Sequence, residues 1–475
     1  MASPPCTCAC RTATRRCRTC EPRRLRRSRI APCSRRSARP RTHSETGTPD
    51  CTRRARCHED RARRFGPSFS CPRAACTIPF PTAASAPPAP RSTMNAVVPK
   101  LVPMLRTLVE SPSVSSADAR FDQSNRQVID HLATWLEDLG FAVEISPLPN
   151  QPHKANLVAV LGRGEDGLVL AGHTDTVPCD PELWNSDPFA MGERDDRFYG
   201  LGTCDMKGFF PLALEAVRDV SAADLSRPLI VVATADEECS MDGARLLVER
   251  GSPAARFAVV GEPTDLRPKR LHKGIMFEAI RVSGRSGHSS DPSLGANALD
   301  AMHAVMSEIL SFREELAAAH RHPAFAVEVP TMNLGCLHAG DNPNRICGHA
   351  ELQIDVRVLP GMDNEVVHGT LAKRLLPVAR AHGVEIDVEM QHAAPPFEEG
   401  ADSELIRLVE QLAGTEAGAV AFGTEAPFYQ QLGMEAVVLG PGSIDQAHQP
   451  DEFLDQRQIE PTVRLLRDLV RRVCV

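Results

Sequence analysis

The run Leu229-Ile-Val-Val-Ala-Thr234 shows no alternation of apolar and polar residues, and a strand of that kind must be covered on both faces. Leu168-Val-Leu-Ala171 and Phe257-Ala-Val-Val260 are further apolar strands, with helical patterns over residues 206–220 and 243–250 between them. Strands that alternate with helices make an α/β layer around a mainly parallel sheet. Upstream, Val128, Ile129, Leu132, Leu136 and Leu139 share one helical face closed by Gly140, and strands at 141–145 and 156–161 follow.

From residue 275 the pattern changes. Strand 275–283, helix 297–320, strands 331–338 and 350–358, helix 363–382 and strand 384–390 spell βαββαβ, the ferredoxin-like order of a small independent domain. The α/β character then resumes with a helix near 403–412, the strand Ala436-Val-Val-Leu439 and a terminal helix from Glu460. The expected organisation is an extension (1–93), a catalytic domain in two parts (94–274 and 391–475) and an inserted ferredoxin-like dimerisation or lid domain (275–390). An insertion of this kind makes a cleft, and the chemistry is expected there. Gly162-Arg-Gly164-Glu-Asp-Gly167 matches a dinucleotide fingerprint, but a second strand follows it where a phosphate-binding helix would have to begin. A hairpin turn is expected instead.

Polar residues gather where the apolar strands stop. His173 and Asp175 end one strand, two residues apart and so on one side of it. Asp205 sits in the glycine-flanked turn Gly200-Leu-Gly-Thr-Cys-Asp205-Met-Lys-Gly208, and Asp236-Glu237-Glu238 follow the most apolar strand. Glu262 lies in Gly261-Glu-Pro-Thr264, and Gln446-Ala-His448-Gln-Pro-Asp-Glu452 supplies a late histidine. Taken singly, an acidic run is usually a solvated face and Gly-Glu-Pro a turn. Ends of adjacent parallel strands converge, however, and two imidazoles with several carboxylates at one rim call for cations between them.

Histidine and carboxylate donors without cysteine favour zinc or a similar borderline divalent ion. One bridging carboxylate, with one histidine and one further carboxylate per ion, makes two open sites whose shared water is acidified. A carboxylate not used in ligation is then needed to move the proton, and adjacent Glu237 and Glu238 can divide the two tasks. Cys204 and Cys239 adjoin these residues and are expected to pack as small apolar side chains.

These motifs, together with Gly287-His288-Ser-Ser-Asp291, resemble those of the dinuclear-zinc M20 peptidases and deacylases; the likeness covers nearly all of 94–475 and none of 1–93. It implies two Zn2+ per subunit, or Co2+, with Asp205 between them, His173 and Glu262 on one ion and Glu238 and His448 on the other. Glu237 becomes the general acid/base and Asp175 the group that orients His173. By the same resemblance, His288 reaches the neighbouring subunit's site and polarises the scissile carbonyl, which implies a homodimer through 275–390. Asn344 and Arg357 match substrate-contacting positions, and Arg357 or Lys273 could hold an α-carboxylate. Thr424 and Ser443 are candidate hydrogen-bond donors; Glu425 is assigned a distal ammonium from charge alone. The implied activity is hydrolysis of an N-acyl amino acid, with a succinyl-diaminopimelate desuccinylase and a dipeptidase as the alternatives within the family. A non-catalytic binding protein is the alternative outside it, and the intact Asp205 and Glu237 argue against that.

Composition separates the extension from the body. Residues 1–93 hold 21 arginines, no lysine, five acids and ten of the sixteen cysteines, with no apolar periodicity, whereas the remainder carries a net charge of about −23. The extension is expected to be upstream sequence read in frame, with Met94 as the start, and the alternatives are an organelle transit peptide, a nucleic-acid-binding arm or a metal knuckle. In the body six cysteines stand singly, which points to a reducing compartment and a cytoplasmic protein. Its acidity argues against nucleic acid and membrane surfaces as partners, and no apolar run is long enough to span a bilayer. A chain begun at Met94 should fold cooperatively and match the full chain in metal-dependent amide hydrolysis. Insolubility of that chain, or loss of its activity, would contradict the reading.

Overall fold

A computed structural model of the protein describes residues 98–475, so the expectations for 1–93 and for Met94 lie outside the described residues. A nine-stranded sheet forms the larger layer. In spatial order it runs Ala142–Pro147, Ala155–Leu161, Leu229–Thr234, Leu168–His173, Phe257–Pro263, Glu435–Gly440, Lys269–His272 and Phe397–Glu398, with Gly418–Val420 also paired to Lys269–His272. The four central strands, from Leu229–Thr234 to Glu435–Gly440, are mutually parallel, and antiparallel strands flank them.

The missing alternation in the central strands has a direct cause. Leu168, Leu170, Leu229, Val231, Phe257 and Val259 pack into one core with the helices Arg126–Asp138, Phe209–Val217 and Ile459–Val473. Their neighbours Val169, Ala171, Ile230, Val232, Ala258 and Val260 enter a second core on the opposite face, with Leu247, Ala426 and Tyr429. Side chains alternate between the faces, and both faces are dry. Polar residues are therefore confined to the strand ends.

Two local expectations are corrected. Gly162–Gly167 does not close a hairpin, because Leu229–Thr234 lies between Ala155–Leu161 and Leu168–His173 and pairs with both. The glycines instead let the connection pass closely under the entrance of that middle strand, where a Cβ on Gly162 would meet Leu225 at 3.2 Å. The helix expected from Met206 begins at Phe209, since Met206–Gly208 complete the preceding turn, with Gly208 N donating to Gly202 O at 3.0 Å.

The βαββαβ segment forms a separate antiparallel sheet in the order Thr331–Ala339, His349–Val358, Gly274–Ser283, Glu385–Ala394. Ala298–Ala319 and Asn364–His382 cover one face, burying Met276, Ile280 and Val282 against Met302, Ile309, Val367 and Leu371. Glu278 sits in the same buried row; burial raises its carboxyl, and His368 Nδ1 at 2.9 Å offsets this. Asn364 Nδ2 donates to Ile275 O and Ala394 O, tying together the two strands by which the chain enters and leaves this sheet.

A three-stranded sheet of Phe453–Asp455, Arg197–Tyr199 and Gly192–Arg194 completes the fold. Strands of three residues have no periodicity to read, and the sequence analysis missed them. No helix among the described residues is long and apolar enough to cross a membrane.

Gly261, inside the central strand Phe257–Pro263, lies against the face of Phe209, and a Cβ there would lie within the ring's van der Waals envelope. Gly261→Ala should lower stability by about 1–3 kcal/mol, measured by urea denaturation. An unchanged midpoint would show that the ring has room to move.

Candidate active site

Three adjacent parallel strands end at one rim with His173, the Asp236–Glu238 turn and Glu262, and the neighbouring Glu435–Gly440 leads into the loop that carries His448. Ligands at the carboxyl ends of parallel strands meet in this way because all the strands run in one direction. Asp205 stands among them. Its Oδ1 lies 3.1 Å from His173 Nε2 and its Oδ2 3.5 Å from His448 Nε2, so each oxygen faces a different imidazole. Glu262 lies 3.8 Å from His173 Nε2, and Glu238 3.2 Å from His448 Nε2. The donor atoms of His173, Asp205 and Glu238 all fall within 4.8 Å of one another.

The cluster is strongly short of positive charge. Burial raises Glu237, Glu238 and Glu262, and neighbouring carboxylates raise each of them further. Burial opposes protonation of His173, yet Asp205 and the charges of Glu262 and Glu237 hold it well above the ordinary imidazole range. The hydrogen bond with Glu238 pushes His448 up to about 9. A site that draws protons onto both imidazoles is one where cations would be stabilised, and its donors, two histidines and three carboxylates, suit a pair of zinc-like ions. Thiols stay out of it. Cys204 Sγ points to Ser443 O at 3.4 Å, and burial pushes Cys239 up to about 11.

The turns that present these groups are fixed by buried polar contacts. His173 Nδ1 meets the main-chain carbonyl of Asp175 at 3.0 Å, whereas the Asp175 carboxylate lies 3.8 Å away. That carboxylate accepts instead the N–H groups of Glu237 at 3.2 Å and Glu238 at 3.1 Å. Asp175 therefore sets His173 through its backbone and the Glu237–Glu238 turn through its side chain.

Asp236 has φ 65°, a left-handed conformation that costs a non-glycine residue about 1 kcal/mol or more. It is held there by Lys154 and Ser240 and by Gln151 Nε2 at 3.2 Å. Lys154 is fully buried and also reaches Asp122 at 2.7 Å and Ser115 Oγ at 3.1 Å. Sequence reasoning missed Lys154, which carries no motif signal of its own. It also gave no role to Glu452, whose Oε1 accepts three backbone N–H groups of the Asp205 loop. Lys207 Nζ is buried against Ser111 O at 3.1 Å, and burial pulls it down to about 7.

The expected substrate contacts are dispersed in this chain. Thr424 and Glu425 are fully buried: Thr424 Oγ1 accepts from Ala426 N at 3.1 Å, and Glu425 accepts from Thr234 Oγ1 at 2.8 Å, with burial raising it to about 7. Ser443 is half-buried and bridges to Thr264. Near the junction with the small sheet, Lys273 Nζ donates to Val329 O at 2.7 Å, and Arg357 Nε pairs with Asp355 at 2.8 Å. His288 and Asn344 are exposed beyond the opposite end of the small sheet, where Ser289 N donates to Asn344 O at 3.1 Å. His288 Nδ1 meets Ser290 Oγ at 2.7 Å.

Residues 169–472 match the model of peptidase family M20/M25/M40. An acetylornithine deacetylase of Klebsiella pneumoniae (strain 342) is 47% identical over 378 residues, 79% of this chain and 98% of that protein. One from Photorhabdus laumondii is 45% identical over 383 residues, 80% of this chain and 99% of that protein. Among solved structures, an M20 metallo-carboxypeptidase from Sulfolobus solfataricus aligns with a TM-score of 0.63 at 18% identity, covering 78% of this chain and 99% of that one. A dinuclear metal-binding M20 peptidase from Bacillus subtilis aligns with a TM-score of 0.55 at 17% identity, over 78% and 97%. The structural likenesses show a shared fold.

Bound divalent ions should stabilise this cluster by mass action, by about 2.7 kcal/mol at a free concentration one hundred times Kd. Thermal melts should therefore fall on exhaustive chelation and recover with added Zn2+ or Co2+. A melting temperature indifferent to both treatments would contradict a metal centre.

Proposed function

The chain belongs to peptidase family M20/M25/M40, and from that premise we propose that it removes the acetyl group of N2-acetyl-L-ornithine, releasing acetate and L-ornithine for arginine biosynthesis. Two supports carry this reading. One is the placement of Asp205, with an imidazole facing each of its oxygens. The other is 45–47% identity to acetylornithine deacetylases along nearly their whole length.

In this reading His173, Glu262, Asp205, Glu238 and His448 would hold a pair of divalent ions, His173 and Glu262 serving one and Glu238 and His448 the other, with Asp205 shared. Zinc is the proposed metal, with cobalt as a substitute. Bound there, the ions would polarise the acyl carbonyl and lower the pKa of a water. The remaining work falls to the side chains. Glu237, at the surface of the cluster and 8% exposed, takes the proton of the attacking water and returns it to the amine nitrogen as the C–N bond breaks. Asp175 keeps Glu237 aimed by holding its N–H, so the proton acceptor and the adjacent Glu238 move as one unit.

A second donor to the carbonyl oxygen is proposed to come from outside this chain's own rim. His288 is exposed and far along the small sheet, and a homodimer through 275–390 would let the partner's His288 supply that donor. Arg357 or Lys273 would take the α-carboxylate, Thr424 and Ser443 are the proposed hydrogen-bond donors, and Glu425 would face the distal ammonium. Asn344, which lies beside His288 at the far end of the small sheet, would contact substrate in the partner's site. The proposed setting is the cytoplasm, with no nucleic-acid or membrane partner.

Acetate or succinate release from a panel of N-acetyl and N-succinyl amino acids tests the substrate. N2-acetyl-L-ornithine should have the highest kcat/KM, and at least tenfold preference for N-succinyl-diaminopimelate would overturn the assignment. Glu237→Gln should retain metal and lose about 10²–10⁴ in kcat. A near-normal kcat would remove its role.

A further inference from the structure

We propose that Glu452 is a positioning residue that locks the Asp205 loop to the His448 loop and so fixes the separation of the groups on either side of the site. The inference rests on the metal-centre reading above. Glu452 Oε1 accepts the N–H groups of Gly202 at 3.0 Å, Cys204 at 2.8 Å and Asp205 at 3.0 Å. Its main-chain carbonyl accepts a fourth, from Gly200 at 3.0 Å. The residue is 1% exposed. Four donors from one six-residue loop therefore converge on a single buried residue.

The loop has little freedom to adopt another shape. Gly202 has φ 83°, and a Cβ there would press on Lys207 and approach Thr176 at 3.0 Å. The segment carrying His448 is equally fixed. Asp451, at φ 59°, accepts from Asn185 N at 2.9 Å, and Phe453–Asp455 pairs with Arg197–Tyr199. Glu452 lies between these two anchors. Asp205 and His448 come from distant parts of the chain, and Glu452, 247 positions from Asp205, is where the two loops are joined. A purely local turn could shape either loop alone, but it could not set the 3.5 Å approach of His448 Nε2 to Asp205 Oδ2.

Glu452→Gln keeps the size and one acceptor oxygen but replaces the other with an amide nitrogen, and Glu452→Ala removes both oxygens. Each should fold cooperatively and bind Zn2+ about 10–100-fold more weakly in competition with a chromophoric chelator. kcat should fall at sub-saturating Zn2+, KM should change less than threefold, and excess Zn2+ should restore part of the activity of Glu452→Gln. Glu278→Gln, a buried carboxylate of the small sheet, is the control. It should lower the melting temperature without changing Zn2+ affinity, as a merely structural residue would.

Hydrogen exchange on the wild-type protein stripped of metal needs no variant. The amides of Gly202, Cys204 and Asp205 should remain protected, and free exchange at all three would overturn the proposal, as would wild-type Zn2+ affinity in both Glu452 variants. A wild-type protein that binds no Zn2+ would instead overturn the metal-centre reading, whatever the amides do.

Discussion

Asp205, Glu237, Glu238 and Glu262, packed with two imidazoles at one sheet rim, repel one another unless positive charge is supplied between them, and the rest of the site is arranged around that constraint. In water such a cluster would spread apart. Here His173 and Glu262 stand on strands whose two faces are both buried, and the loops of Asp205, Glu238 and His448 bring their side chains within reach of them. The buried sheet and the anchored loops oppose relief by movement, which leaves protons or metal ions to supply it. The raised pKa of both histidines is the electrostatic signature of that demand.

Holding the loops against this repulsion falls to groups that themselves touch no ion in the proposed arrangement. Asp175 grips the Glu237–Glu238 turn, Lys154 grips Asp236 in its left-handed conformation, and Glu452 grips the Asp205 loop. Two of the three are carboxylates working through backbone N–H groups. Their hydrogen bonds to those N–H groups define the shape of the rim.

Much of this was legible in the sequence because the site residues follow the apolar runs that set the sheet. His173, Asp236–Glu238 and Glu262 could be placed at one rim from strand ends alone, and the βαββαβ order was readable from periodicity. What stayed hidden depends on meetings distant in the chain. Lys154 reaches Asp236 across 82 positions and Glu452 reaches Asp205 across 247, and neither residue type carries a local pattern that announces its partner. Strand alternation gave the side on which Asp175 lies, but not that its carboxylate would find two backbone donors closer than the His173 ring. The connection at 162–167 was misjudged because sequence adjacency of two strands does not reveal a third strand inserted between them.

Anomalous diffraction at the zinc edge from crystals of the zinc-loaded protein tests the central claim most directly. The account predicts two peaks per subunit on either side of the Asp205 carboxylate, one against His173 and Glu262 and the other against Glu238 and His448. A single peak that leaves one histidine uncoordinated, or zinc bound away from Asp205, would contradict it.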